Sequence, residues 1–75
     1  MPLIHVYAYS GRDMETKRKT AHALVKTASE VMGAPESSFT VVYEECEREN
    51  WDRDIVQPII EPLRDKWLIR RGVPV

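Results

Sequence analysis

Pro2 carries the least common chemistry in this chain. A small second residue lets an initiator methionine be trimmed, and loss of Met1 would leave the Pro2 nitrogen as a terminal secondary amine. Unprotonated, that amine is a compact base and a nucleophile. An ordinary α-amino group titrates at about 7.7–8.0. Apolar surroundings or a nearby cation would pull Pro2 lower, because both disfavour the charged form. A base tuned near neutral pH suits removal of a proton next to a carbonyl. A guanidinium or other donor aimed at the oxygen where charge builds lowers that barrier.

The other reactive side chains give weaker signals. His5, His22 and Cys46 have no metal-ligand spacing, so no metal site is expected. His5 reads as a satisfied, partly buried strand histidine and His22 as the solvent edge of a helix stripe. Cys46 has no base partner and reads as a small apolar residue. The clusters Lys17-Arg18-Lys19 and Arg70-Arg71 are short and offset by Glu15, Glu30 and Asp65. They read as solvated surface and not as a nucleic-acid patch.

The elements that must position these groups follow from periodicity. Leu3 to Tyr9 alternates, with Ile4, Val6 and Ala8 on one face and Leu3, His5, Tyr7 and Tyr9 on the other, which predicts a strand. Ser10-Gly11-Arg12-Asp13 ends it. Asp13 suits a helix N-cap. Met14, Ala21, Leu24, Val25, Ala28, Val31 and Met32 recur at helical spacing, and Gly33 followed by Pro35 marks the stop. Phe39 to Cys46 alternates again. Strand, helix, strand is a β-α-β unit with parallel strands and a right-handed crossover. From Trp51 to Arg70 the apolar spacing is again helical, interrupted by Pro58 and Pro62, which predicts two short helices or one bent one. The tail Gly72-Val73-Pro74-Val75 reads as extended.

At 75 residues the chain is expected to form one domain, residues 1–75, with a modest core. Its fold class is α/β (α+β). Two parallel strands and one helix cannot cover both faces of a sheet, so a second copy is expected to supply the missing strands and complete a four-stranded sheet. One cysteine excludes an internal disulfide and leans towards a reducing, cytoplasmic compartment. Residues 2–9 lack a basic lead and a cleavage site, so no secretory signal is expected. No apolar run has the length of a membrane span. A net charge of −1, from 11 basic and 12 acidic residues, gives no field that points to nucleic acid or to a membrane.

The order of Pro2, a strand, Gly11-Arg12, Lys17 on a long helix, Ala34-Pro35, a second strand and an aromatic at Trp51 resembles the 4-oxalocrotonate tautomerase family, over residues 2 to about 51. Beyond residue 51 the family's hairpin-like end is expected to be missing, and the Asn50-Trp51 start and helical C-terminal segment look more like the family's small dimeric branch. The resemblance implies a cofactor-free enzyme that interconverts keto and enol forms of small anionic acids. It implies Pro2 as the base and then the acid, Arg12 as the holder of a substrate carboxylate, and Trp51 as an apolar wall. At Thr40 the best-known members carry a second arginine. Thr40 offers a hydroxyl but no charge; Arg48, Arg53 or an arginine of a neighbour would have to compensate. The resemblance also implies a homo-oligomer, with a dimer favoured over a hexamer. Two alternatives stay open. One is a hydratase, dehalogenase or decarboxylase in which Glu44 or Glu45 activates water. The other is a non-catalytic oligomeric binding module.

Overall fold

The structure is a computed structural model that describes residues 1–75. The chain divides into two compact units, residues 1–45 and 46–75.

The first unit holds strand β1 (Leu3–Tyr9), helix α1 (Met14–Met32), a single 3-10 turn (Glu36–Ser38) and most of strand β2 (Thr40–Cys46). The Thr40 N–H donates to the Pro2 carbonyl at 3.1 Å, and farther along both strands His5 meets Glu44. Pairing therefore advances in the same direction on β1 and β2, which is the expected parallel β-α-β unit. Both ends of α1 are fixed by local chemistry. The Asp13 carboxylate accepts from the Thr16 N–H at 2.8 Å and satisfies one of the orphan donors of the first turn. At the other end Gly33 takes φ +72°, a left-handed conformation that favours glycine, and its N–H returns to the Ser29 carbonyl at 3.0 Å.

The alternation in β1 holds except at Tyr7, which is half-buried like Val6 and Ala8. Ile4, Val6 and Ala8 are half-buried, while Leu3, His5 and Tyr9 are exposed. The stripe of α1 is covered only in its middle. Ala21, Val25 and Ala28 are half-buried; Met14, Leu24, Val31 and Met32 are exposed. A two-stranded sheet is too narrow to cover a helix of 19 residues.

The second unit departs from the expected plain helices. A 3-10 turn (Arg48–Asn50) leads into a π-helix (Asp52–Ile60), and a 3-10 helix (Glu61–Lys66) follows. The wide winding is explicit where the Glu61 N–H reaches the Val56 carbonyl, five residues back. Pro58 lies inside the π-helix without ending it, and Pro62 sits in the opening turn of the 3-10 helix, where a missing N–H costs little. The Trp67 indole donates to the Ile60 carbonyl at 2.9 Å. Its ring lies 4.8 Å from the Arg70 guanidinium, and Glu61 binds both Arg70 and Arg64.

A hairpin does close the chain, contrary to the sequence reading. Strand β3 (Ile69–Arg70) pairs antiparallel with β4 (Val73–Pro74). Arg71 and Gly72 both take positive φ, +52° and +81°, the geometry of a two-residue hairpin turn. Strands of two residues are too short to show alternation, so the turn was the only available signal.

Ile55, 6 % exposed, is the one buried apolar side chain. No helix is long and apolar enough to cross a membrane.

Candidate active site

Pro2 lies immediately before β1 and is half-buried, with its carbonyl tied to the Thr40 N–H. Parallel pairing thus brings the first residue of β2 beside Pro2. Met1 precedes Pro2 as an amide-linked residue and is 99 % exposed, so its removal meets no steric obstacle.

Arg12 lies beyond the other end of β1. Its Nη1 donates to the Tyr9 carbonyl at 3.3 Å. Seven strand residues separate the two positions, a span of roughly 23 Å at about 3.3 Å per residue. Within one chain the structure brings Thr40 to Pro2 but leaves Arg12 at the far end of the strand.

The turn that carries Arg12 is anchored by a residue the sequence reading assigned elsewhere. Glu45 sits near the end of β2. Its Oε2 accepts from the Gly11 N–H at 3.3 Å, and its Oε1 pairs with the Lys17 ammonium on the first turns of α1. Lys17 also lies over the Tyr43 ring, 5.7 Å from its centre, with only 17 % of its side chain exposed. The Lys17 hydrogen bond, and then the Gly11 N–H, hold the Glu45 carboxyl below its usual range. The available signal was parity. Val41, Tyr43 and Glu45 share one strand face, and a carboxylate continuing an apolar face calls for a cationic partner.

Glu44 faces the other way. It meets His5 Nε2 at 2.5 Å, and His5 stacks on Tyr7 with ring centres 4.3 Å apart. Partial desolvation, and then Glu44, push the Tyr7 phenol up.

Trp51 belongs to the second unit, half-buried just before the π-helix. Arg53, one of the candidates to replace the missing charge at Thr40, is engaged by its own neighbour: Nε and Nη2 reach the two Asp54 oxygens at 2.7 and 3.0 Å. That two-pronged contact occupies the fork a substrate carboxylate would need. Cys46 is a free thiol; desolvation, then Asp54 and Glu47, push its pKa up, which suits an inert side chain. His22 is exposed on α1, and His5 lies on β1. No cluster of three metal-ligating side chains is present.

Comparison with known proteins gives a consistent set of likenesses. Residues 2–56 match the family model described as tautomerase enzyme. A probable tautomerase of Xylella fastidiosa (strain 9a5c) is 31% identical over 72 residues, covering 96% of this chain and 88% of that protein. A probable tautomerase of Ralstonia nicotianae is 37% identical over 51 residues, 68% of this chain and 73% of the relative. Among solved structures, TomN, a 4-oxalocrotonate tautomerase homologue in the tomaymycin biosynthetic pathway, superposes with a TM-score of 0.65 at 28% identity, over 85% of this chain and 95% of its own.

Proposed function

The chain belongs to the tautomerase family, and on that premise we propose that it is a cofactor-independent keto–enol tautomerase acting on small 2-hydroxy-dienoate or enol acids. The observation that carries this reading is the position of Pro2: the family match begins at it, and it directly precedes β1, beside the first residue of β2. Trimming of Met1 frees its nitrogen. The unprotonated amine takes the proton of the enol hydroxyl, the electron pair closes the carbonyl, and the proline ammonium returns a proton to carbon. Atoms and electrons balance with no oxidant. The Thr40 hydroxyl, on the residue whose N–H binds the Pro2 carbonyl, is the donor for the oxygen that carries charge during the transfer. The free Cys46 thiol fits the reducing cytoplasm.

Arg12 serves this chemistry from a second copy. A small acid cannot bridge roughly 23 Å along one strand. With only two strands in the sheet, β1 has an unpaired edge. A twofold axis at that edge sets two β1 strands antiparallel and gives a four-stranded sheet. The start of one β1 then lies beside the end of the other, which places Pro2 of one copy near Arg12 of the next. A dimer is the smallest assembly with a complete site.

Of the two carboxylates that a competing hydratase, dehalogenase or decarboxylase could use to activate water, Glu45 has both oxygens engaged and a lowered pKa, which leaves that reading to Glu44, paired through one oxygen with His5. The test is turnover of phenylenolpyruvate by Pro2→Ala with Met1 still removed. Loss of most ketonisation supports the proton shuttle; undiminished turnover refutes it. Halide release from a haloacrylate by the unaltered protein would favour the competitor instead.

A further inference from the structure

We propose that Glu45 is a positioning residue for Arg12, holding the Gly11-Arg12 turn so that the guanidinium meets the substrate carboxylate. This rests on the reading of Arg12 as the carboxylate receiver.

The turn has little to hold it by itself. Ser10, Gly11, Arg12 and Asp13 are all exposed, and Gly11 takes φ +123°, where a residue with a side chain is strained. Its local contacts are the Arg12 bond to the Tyr9 carbonyl and the Asp13 cap on Thr16. Neither joins the turn to β2. Glu45 does, through the Gly11 N–H, from 34 residues away in sequence. Its second oxygen fixes the same carboxylate to α1 through Lys17. One side chain thus ties together the end of β2, the start of α1 and the residue next to Arg12.

The charge arrangement fits this role. A bare carboxylate beside Arg12 would compete for the guanidinium and repel an anionic substrate. Lys17 neutralises it, and the Arg12 bond goes to Tyr9 and not to Glu45. One N–H of Arg12 is used for that anchor. The remaining donors of the planar fork stay available for a carboxylate. Glu45 therefore restrains the backbone beside Arg12 without taking a hydrogen bond from its guanidinium, and the attraction between the two charges comes after that of Lys17.

The experiment is a kinetic cycle on the full chain with Met1 removed, using phenylenolpyruvate and its methyl ester. The variants are Glu45→Ala, Glu45→Gln, Arg12→Ala and the double variant R12A/E45A, each checked by thermal melting. Glu45→Ala is expected to raise KM for the acid by about tenfold, with kcat changed less than about twofold and the ester unaffected. Glu45→Gln keeps an oxygen for the Gly11 N–H and is expected to fall between. If Glu45 acts through Arg12, the double variant has the KM of Arg12→Ala alone. Penalties that multiply in the double variant overturn the proposal, as does an equal loss on acid and ester, which marks a general structural role. An unchanged KM in Arg12→Ala removes the reading of Arg12 itself, and the positioning role with it. If Glu45→Ala does not fold, Glu45→Gln decides: an unaltered KM for the acid overturns the proposal. Titration of phenylpyruvate into 15N-labelled protein gives the same cycle in binding constants, independent of turnover.

Discussion

Arg12 points back along its own strand to the Tyr9 carbonyl, at 3.3 Å, and so stays at the opposite end of β1 from Pro2. If a site takes Pro2 from one copy and Arg12 from another, two defective chains can repair each other. Pro2→Ala, with its base gone, and Arg12→Ala, assayed well below its raised KM, each turn over little alone and are expected to regain about a quarter of the unaltered activity when mixed equally and allowed to exchange. Half of the twofold dimers would then be mixed, and each mixed dimer has one intact site of two. Activity that stays at the sum of the two separate variants would place both residues in one chain's site.

The same arrangement makes stability depend on concentration. Leu3 is 63 % exposed, Val31 81 % and Leu68 79 %, against a single buried Ile55. A chain of this size with so much apolar surface in water is poorly provided for alone. Association buries that surface and stabilises the folded chain by mass action. The melting midpoint is expected to rise by several degrees between micromolar and hundred-micromolar protein, with light scattering giving a dimer or a multiple of it. A monomeric mass with a fixed midpoint would contradict this.

The first unit was legible because its signals are local. Asp13 and Gly33 bracket α1 with side-chain and backbone chemistry that acts within one turn. The alternation of β1 survives in the exposure of Leu3 against the half-buried Ile4. The second unit was less legible. Apolar spacing in residues 51–70 fits a regular helix, yet the chain winds five residues per hydrogen bond, which keeps Pro58 inside the helix without an N–H to donate. At the site, Pro2 and Arg12 could be nominated from order along the chain. The Gly11–Glu45–Lys17 link could not, because it joins residues that only the β-α-β crossover brings together.

Acid should weaken the fold through identifiable carboxylates. The Thr16 backbone N–H holds Asp13 below its usual range, and Lys17 does the same for Glu45. Both therefore titrate lower folded than unfolded. Their stabilisation is complete above the unfolded-chain values of about 3.9 and 4.3 and is lost as pH falls through the lower folded-state values. Asp54 and Glu61, lowered by Arg53 and Arg64, add to the same limb. Urea unfolding is expected to give a flat stability from pH 7 to about 5 and a fall below it. Asp13→Asn retains a competent cap at neutral pH but should make the acid fall shallower. An identical acid limb in that variant would remove Asp13 from this account.

Ile55 is the most sensitive packing position. It is 6 % exposed, so truncation removes contacts that solvent cannot replace. Ile55→Ala is expected to cost roughly 2–5 kcal/mol and Ile55→Val about 1 kcal/mol, measured by urea unfolding at one protein concentration. A cost for Ile55→Ala below that of Ile55→Val would mean that the site collapses around the smaller side chain.

The proton chemistry depends on the Pro2 nitrogen being a free amine. An amide nitrogen has its lone pair delocalised into the carbonyl and is neither a base nor a nucleophile. Retaining Met1 therefore removes the base while leaving strand, turn and helix in place, because Met1 is 99 % exposed and contributes no packing. Protein prepared with Met1 retained, verified by intact mass, is expected to keep its melting midpoint and lose ketonisation of phenylenolpyruvate by a factor of at least about 100, the lower end of what a positioned acid–base group contributes. Enzymatic removal of that one residue should restore the rate. Equal turnover with and without Met1 would show that the proton moves through another group, and the assignment of Pro2 would fail even if the protein is a tautomerase.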